Sequence, residues 1–207
     1  GEVRYSAYGY HGTEILIEGA YTWQTYTNYT QGLAKMRLER IAQAAWGQGI
    51  KATVYNCPEI RTNSSDIFAG VELPLVSLLS ALKKENGGTW AQAQWQACGA
   101  LLADGITVDA MLAKVEAFHT SDVMRPFRNF AAWPMPNSAE QADLTIGTSD
   151  EVQKMHKDPK ALVTDLLSSL VIEATGPLMF RESSAPSGPV LWLNHDIIAR
   201  QLNQLHA

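Results

Sequence analysis

Two cysteines among 207 residues, Cys57 and Cys98, cannot build a disulfide framework. They allow one bridge at most, and the place of Cys98 inside an amphipathic segment favours two small buried thiols. Charge is also sparse, at 18% of residues, and Lys and Arg (16) are outnumbered by Asp and Glu (21) for a net charge of −5. That balance excludes ordinary phosphate-backbone binding, which needs a basic stripe for counterion release; no nucleic-acid partner is expected. Long apolar runs are missing too. The stretch Leu73 to Leu82 is too short and serine-rich to span a bilayer, so the chain reads as not membrane-spanning.

Several catalytic signatures are absent. There is no Walker loop and no Gly-x-Gly-x-x-Gly, and Gly47-Gln48-Gly49 reads as a helix terminator. No Gly-x-Ser-x-Gly elbow marks a serine hydrolase. The five histidines include no pair at i, i+4, and there is no Cys-x-x-Cys, so no metal site is expected. No signal peptide is visible, and a first residue of Gly1 rather than Met suggests a processed or truncated form; the compartment stays open between cytoplasm and periplasm or exterior.

What is there is apolar and well punctuated. Hydrophobic residues make up 46%, enough for a sizeable core. Val3 to Tyr10 and Glu14 to Trp23 read as two strands of an N-terminal hairpin turning at His11-Gly12. Ala34, Leu38, Ile41 and Ala45 recur at helical spacing over Gln31 to Trp46, with Lys35, Glu39 and Gln43 outward. Ile50 to Cys57 reads as a strand stopped by Pro58. A helix enters at Pro74 and ends at Asn86-Gly87-Gly88; Thr89 with Gln92 forms a capping box for the next; Thr107 caps a third. Phe118 to Gly147 reads as a short helix and then a surface loop, with a weak seam at 134–147. Asp158-Pro159 starts a helix that Thr175-Gly176-Pro177 stops. Leu178 to Arg181 and Val190 to Leu193 read as a second hairpin, and Asn194 caps a terminal helix. The expected fold is α+β: residues 1–207 as one domain, a small, mainly antiparallel sheet packed on about five or six helices.

Candidate sites are few. His119 with Asp122, and His195 with Asp196, could each pair an imidazole with a carboxylate, although both lie at helix ends, where such residues cap. Tyr21, Trp23, Tyr26 and Tyr29 form an aromatic cluster suited to a ligand platform or protein interface. Arg125 and Arg128 could hold a carboxylate or phosphate. Gly99 to Phe118 has the outline of a helix-turn-helix, but Asp109 and Glu116 on its second helix suit a DNA surface poorly.

Tyr10-His11-Gly12-Thr13 resembles the Tyr-His-Gly-Thr strand of the diphtheria-toxin-like ADP-ribosyltransferases. The resemblance covers four residues. It implies that His11 and Thr13 hold a nicotinamide ribose, and that the chain is an enzyme transferring ADP-ribose from NAD. The tyrosine pair and glutamate expected downstream do not fall in place. Without a catalytic constellation, the leading expectation is a non-enzymatic component of a larger secretion, envelope or phage-like machine, with a protein partner or homo-oligomer and no cofactor.

Overall fold

The structure is a computed structural model and describes residues 3–25, 27, 29–66, 69–133 and 135–207. Its largest sheet is parallel. β1 (Arg4–Gly9) pairs with β4 (Lys51–Asn56) from Arg4 opposite Lys51 to Gly9 opposite Asn56, and β4 pairs with β5 (Val190–Trp192). The expectation of α+β therefore holds in outline, and the expectation of a mainly antiparallel sheet does not. Parallel neighbours need a crossover, and α1 (Tyr29–Gly47) supplies it between β1 and β4.

The antiparallel hairpin exists, but one strand later. β2 (Thr13–Ile17) pairs with β3 (Ala20–Gln24) around Glu18 (φ 50°) and Gly19 (φ 76°), the two left-handed residues of a tight hairpin turn. Glu14 to Trp23, expected as a single strand, thus folds back on itself as two. His11-Gly12 is instead the bend between the two sheets: Gly12 has φ 146°, and a Cβ there would meet the Trp23 ring at 2.5 Å.

The core is helical. α2 (Glu72–Val76) and α3 (Leu78–Asn86) carry Leu73, Leu75, Val76, Leu78, Leu79 and Leu82, all essentially sealed from water. α2 is buried on every side, as befits an element surrounded by others, while α3 turns Lys83 and Lys84 outward. Around them pack α4 (Thr89–Gly99), α5 (Val108–Thr120), α6 (Ala139–Lys154), α7 (Val163–Ser184) and α8 (His195–Leu205). By length and composition α7 could cross a membrane (mean hydropathy 1.3), yet Val163, Leu167, Leu170 and Val171 are buried and α7 packs on α2 and α8.

Several boundaries differ from the sequence reading, each for a local reason. α7 runs through Gly176-Pro177, so Leu178 to Arg181 is helix and the C-terminal hairpin does not form; Pro177 removes a single ladder donor. α6 occupies half of the expected loop, because Ser138 caps it and its buried face is Gln141, Thr145, Thr148 and Ser149 beside Val152. Asp158 makes a turn to Lys160 N–H rather than a helix cap, and α7 begins five residues later. Thr89 sits inside the first turn of α4 after Gly88, with no side-chain cap. On α1 the stripe is rotated: Ile41 and Ala34 are exposed while Glu39, expected outward, is buried.

Candidate active site

Ligands of open parallel sheets gather at the carboxyl ends of the strands. There β1 ends at Gly9 and β4 at Asn56, and a cleft of about 630 Å³ opens beside them. Gly9, Tyr10, Cys57, Pro58 and Glu59 line it from the strand ends, Thr27 and Gln31 from the approach to α1, and Gln141, Thr145 and Ile146 from α6. Gly9 is required by close packing, since a Cβ would lie 2.5 Å from Asn56 Oδ1. Among the described residues no Lys or Arg lines the cleft, and Glu59 is its one ionisable carboxyl.

Glu59 is unusual. Tyr10 donates its phenol proton to Oε1, and Gln24 Nε2 approaches the same oxygen at 3.4 Å. Oε2 is sealed from solvent with no hydrogen-bonding partner among the described residues. Burial drives the Glu59 carboxyl above the ordinary carboxylate range, and the Tyr10 hydrogen bond only partly opposes this. Burial likewise pushes the Cys57 thiol up to about 11, and Cys98, fully buried, up to about 12. Both cysteines are free thiols.

Beside this cleft lies a buried polar knot. His11 Nδ1–H donates to Glu39 Oε1 at 2.7 Å, and Asn56 Nδ2 donates to the same oxygen at 2.7 Å. Three aromatic rings surround the His11 imidazole, with centroids 6.0 Å (Trp23), 5.7 Å (Phe130) and 5.2 Å (Trp192) away. A carboxylate that fixes one ring nitrogen also fixes the tautomer.

The candidate residues divide accordingly. The structure brings His11 and Trp23 together and places Tyr10 on the cleft. Thr13 starts β2, fully buried with its hydroxyl unpartnered among the described residues. Tyr21 does not line the cleft; it packs against the helical core and donates to Glu85 at 2.7 Å, with Lys84 over its ring. Tyr26 lies outside the described residues. Arg125 pairs with Asp122 at 2.6 Å on an exposed turn, and neither it nor Arg128 lines the cleft.

The two His–Asp pairings do not form. His119 Nε2 meets Leu73 O at 3.1 Å, and Asp196 pairs with Arg200 while His195 lies fully buried. Sequence reasoning missed Glu39, Asn56 and Glu59. Helical periodicity pointed Glu39 the wrong way, and nothing local distinguishes Glu59 from any acid after a strand.

The family profile described as Enoyl-acyl carrier protein reductase FabMG matches residues 1–202. The chain belongs to this family. The apo structure of FabMG, described as a novel type of enoyl-acyl carrier protein reductase, is 72% identical and superposes with a TM-score of 0.94, covering 100% of this chain and 47% of that one. The NADH-bound structure of FabMG is 66% identical with a TM-score of 0.83, covering 99% of this chain and 50% of that one. The chain thus spans about half the length of these FabMG structures. No curated protein sequence matches it.

Membership in a reductase family overturns the expectation of a non-enzymatic assembly component built for protein–protein interaction. An enzyme working with a nicotinamide cofactor was the second expectation, and the FabMG family lies nearer to it. The four-residue resemblance to ADP-ribosyltransferases has a structural account of its own: His11 turns inward to Glu39, and Gly12 makes room for Trp23.

Proposed function

We propose that this chain is part of an NADH-dependent enoyl-acyl carrier protein reductase, and that the cleft at the ends of β1 and β4 receives the enoyl thioester. One observation carries this reading beyond family membership: the cleft combines apolar walls with hydrogen-bonding groups and no cation. Pro58, Ile60, Val71, Pro74 and Ile146 suit an acyl chain, while Tyr10, Thr27 and Gln31 can meet a carbonyl or amide.

NADH would supply the hydride for the enoyl double bond. The residues present fit its uncharged nicotinamide end, whose amide could bond to Thr27 or Gln31. They do not fit the diphosphate, since no Lys or Arg lines the cleft and no glycine-rich phosphate loop occurs in the sequence. The diphosphate is therefore left to groups outside this cleft. In this chain the parallel sheet fixes the strand ends, and the His11–Glu39–Asn56 knot ties the β1–β2 bend, α1 and β4 together behind them.

The test is NADH oxidation by the full-length protein carrying this chain, with crotonyl-CoA as a carrier-protein surrogate. Formation of butyryl-CoA in step with NADH loss supports the reading. NADH stable in the presence of crotonyl-CoA, crotonyl carrier protein and longer enoyl thioesters overturns it.

A further inference from the structure

A half-buried acid with one sealed oxygen and no counter-charge beside it loses solvation without a cation in return. Glu59 is such an acid. Among the described residues no Lys or Arg lines its cleft, its Oε2 is sealed, and Tyr10 and Gln24 are its side-chain hydrogen-bonding partners. We propose that Glu59 is a positioning residue, whose carboxyl holds the Tyr10 phenol at the cleft wall, where its hydroxyl can meet an uncharged carbonyl. Resting on the function proposed above, that carbonyl is the thioester carbonyl of the enoyl substrate.

The geometry gives the two protonation states different consequences. An ionised Glu59 only accepts, so the phenol hydroxyl donates to it and has no proton left for the cleft. A protonated Glu59 can donate to the phenol oxygen instead, which turns the phenol proton toward the cleft. Burial favours this second state, because the charged form loses solvation and gains no cation. The other titratable groups facing the cleft are Tyr10 itself and Cys57, whose thiol stays protonated up to about 11. Outside the cleft, the nearest ionisable pairs along the chain are Arg61–Asp165, two residues beyond Glu59, and His11–Glu39, adjacent to Tyr10. Ligand binding should therefore weaken as pH rises through the Glu59 titration.

The experiment compares Glu59→Gln, Glu59→Ala and Tyr10→Phe with the wild type in the full-length protein. Two readouts are used: calorimetric binding of butyryl-CoA without NADH, and the pH profile of crotonyl-CoA reduction. Glu59→Gln keeps an amide donor to the phenol, so it should retain binding within about threefold and lose the decline with rising pH. Glu59→Ala and Tyr10→Phe should each weaken butyryl-CoA binding about tenfold, the scale of one lost buried hydrogen bond. Identical pH profiles in wild type and Glu59→Gln, or Glu59→Gln as damaged as Glu59→Ala, would overturn the proposal. Butyryl-CoA binding that follows this pattern without any NADH oxidation would sink the reductase reading while leaving the role of Glu59 intact.

Discussion

Glu39 on α1 reaches His11 at the β1–β2 bend with a 2.7 Å hydrogen bond, although both side chains are almost wholly removed from water. A buried hydrogen bond adds little net stability, but removing the acceptor leaves its buried donors unsatisfied. Glu39→Ala should cost about 2–4 kcal/mol in urea unfolding, because His11 and Asn56 both lose their acceptor. Glu39→Gln keeps a carbonyl oxygen in place and should cost clearly less. Equal losses for the two variants would show that shape, rather than hydrogen bonding, holds the knot.

Gly12 and Gly19 both have positive φ, yet they should respond differently to alanine. At Gly12 the new Cβ would lie 2.5 Å from the Trp23 ring in a conformation L-residues rarely adopt. Strain and overlap together should cost about 3 kcal/mol. At Gly19 nothing lies within 4 Å, so only the backbone penalty of about 1 kcal/mol remains. Thermal unfolding of the two variants checks the order, and a Gly19→Ala loss matching that of Gly12→Ala would refute it.

Helix caps show which parts of this fold the sequence makes legible. Thr107 reads as a cap and is one: its hydroxyl accepts from Ala110 N–H at 3.1 Å, so Thr107→Ala should cost about 1 kcal/mol. Thr89 reads as a cap equally well, but the helix starts one residue earlier and its replacement should cost little. Local chemistry marks the neighbourhood of a helix end; tertiary packing chooses the residue. α6 escaped because Gln141, Thr145 and Ser149 face inward, and polar buried faces leave no hydrophobic period. The candidate site was legible only at Tyr10, His11 and Trp23. Glu39, Asn56 and Glu59 come from a helix, a strand and a loop that meet only once the parallel sheet has formed.

Acid should destabilise the protein through two buried histidines. Burial holds His119 near 4 and His195 near 3, against 6.5 in an unfolded chain. Because the unfolded chain takes up those protons first, stability is complete above about 6.5 and falls as pH drops toward 4 and then 3. Each group contributes at most about 1.4 kcal/mol per pH unit within its window. His195→Phe should flatten the acid limb of urea midpoint against pH while leaving its neutral value nearly unchanged, since neither ring nitrogen of His195 has a partner among the described residues. An acid limb as steep in the variant as in the wild type would place the sensitivity elsewhere.

Cys57 offers a direct report on the cleft. It lines the cavity half-buried, and its thiol is held up to about 11, so at neutral pH very little thiolate exists. Labelling by a thiol reagent should be slow at pH 7 and rise steadily through pH 9, well behind an exposed cysteine. Cys98, sealed in the core and pushed up to about 12, should label only on unfolding. If acyl thioesters enter the cleft, butyryl-CoA should slow Cys57 labelling in proportion to occupancy and leave unfolding-limited labelling of Cys98 unaltered or slower. Protection absent at saturating butyryl-CoA would mean that the thioester binds away from the β1 and β4 strand ends, and the proposed substrate site would have to move with it.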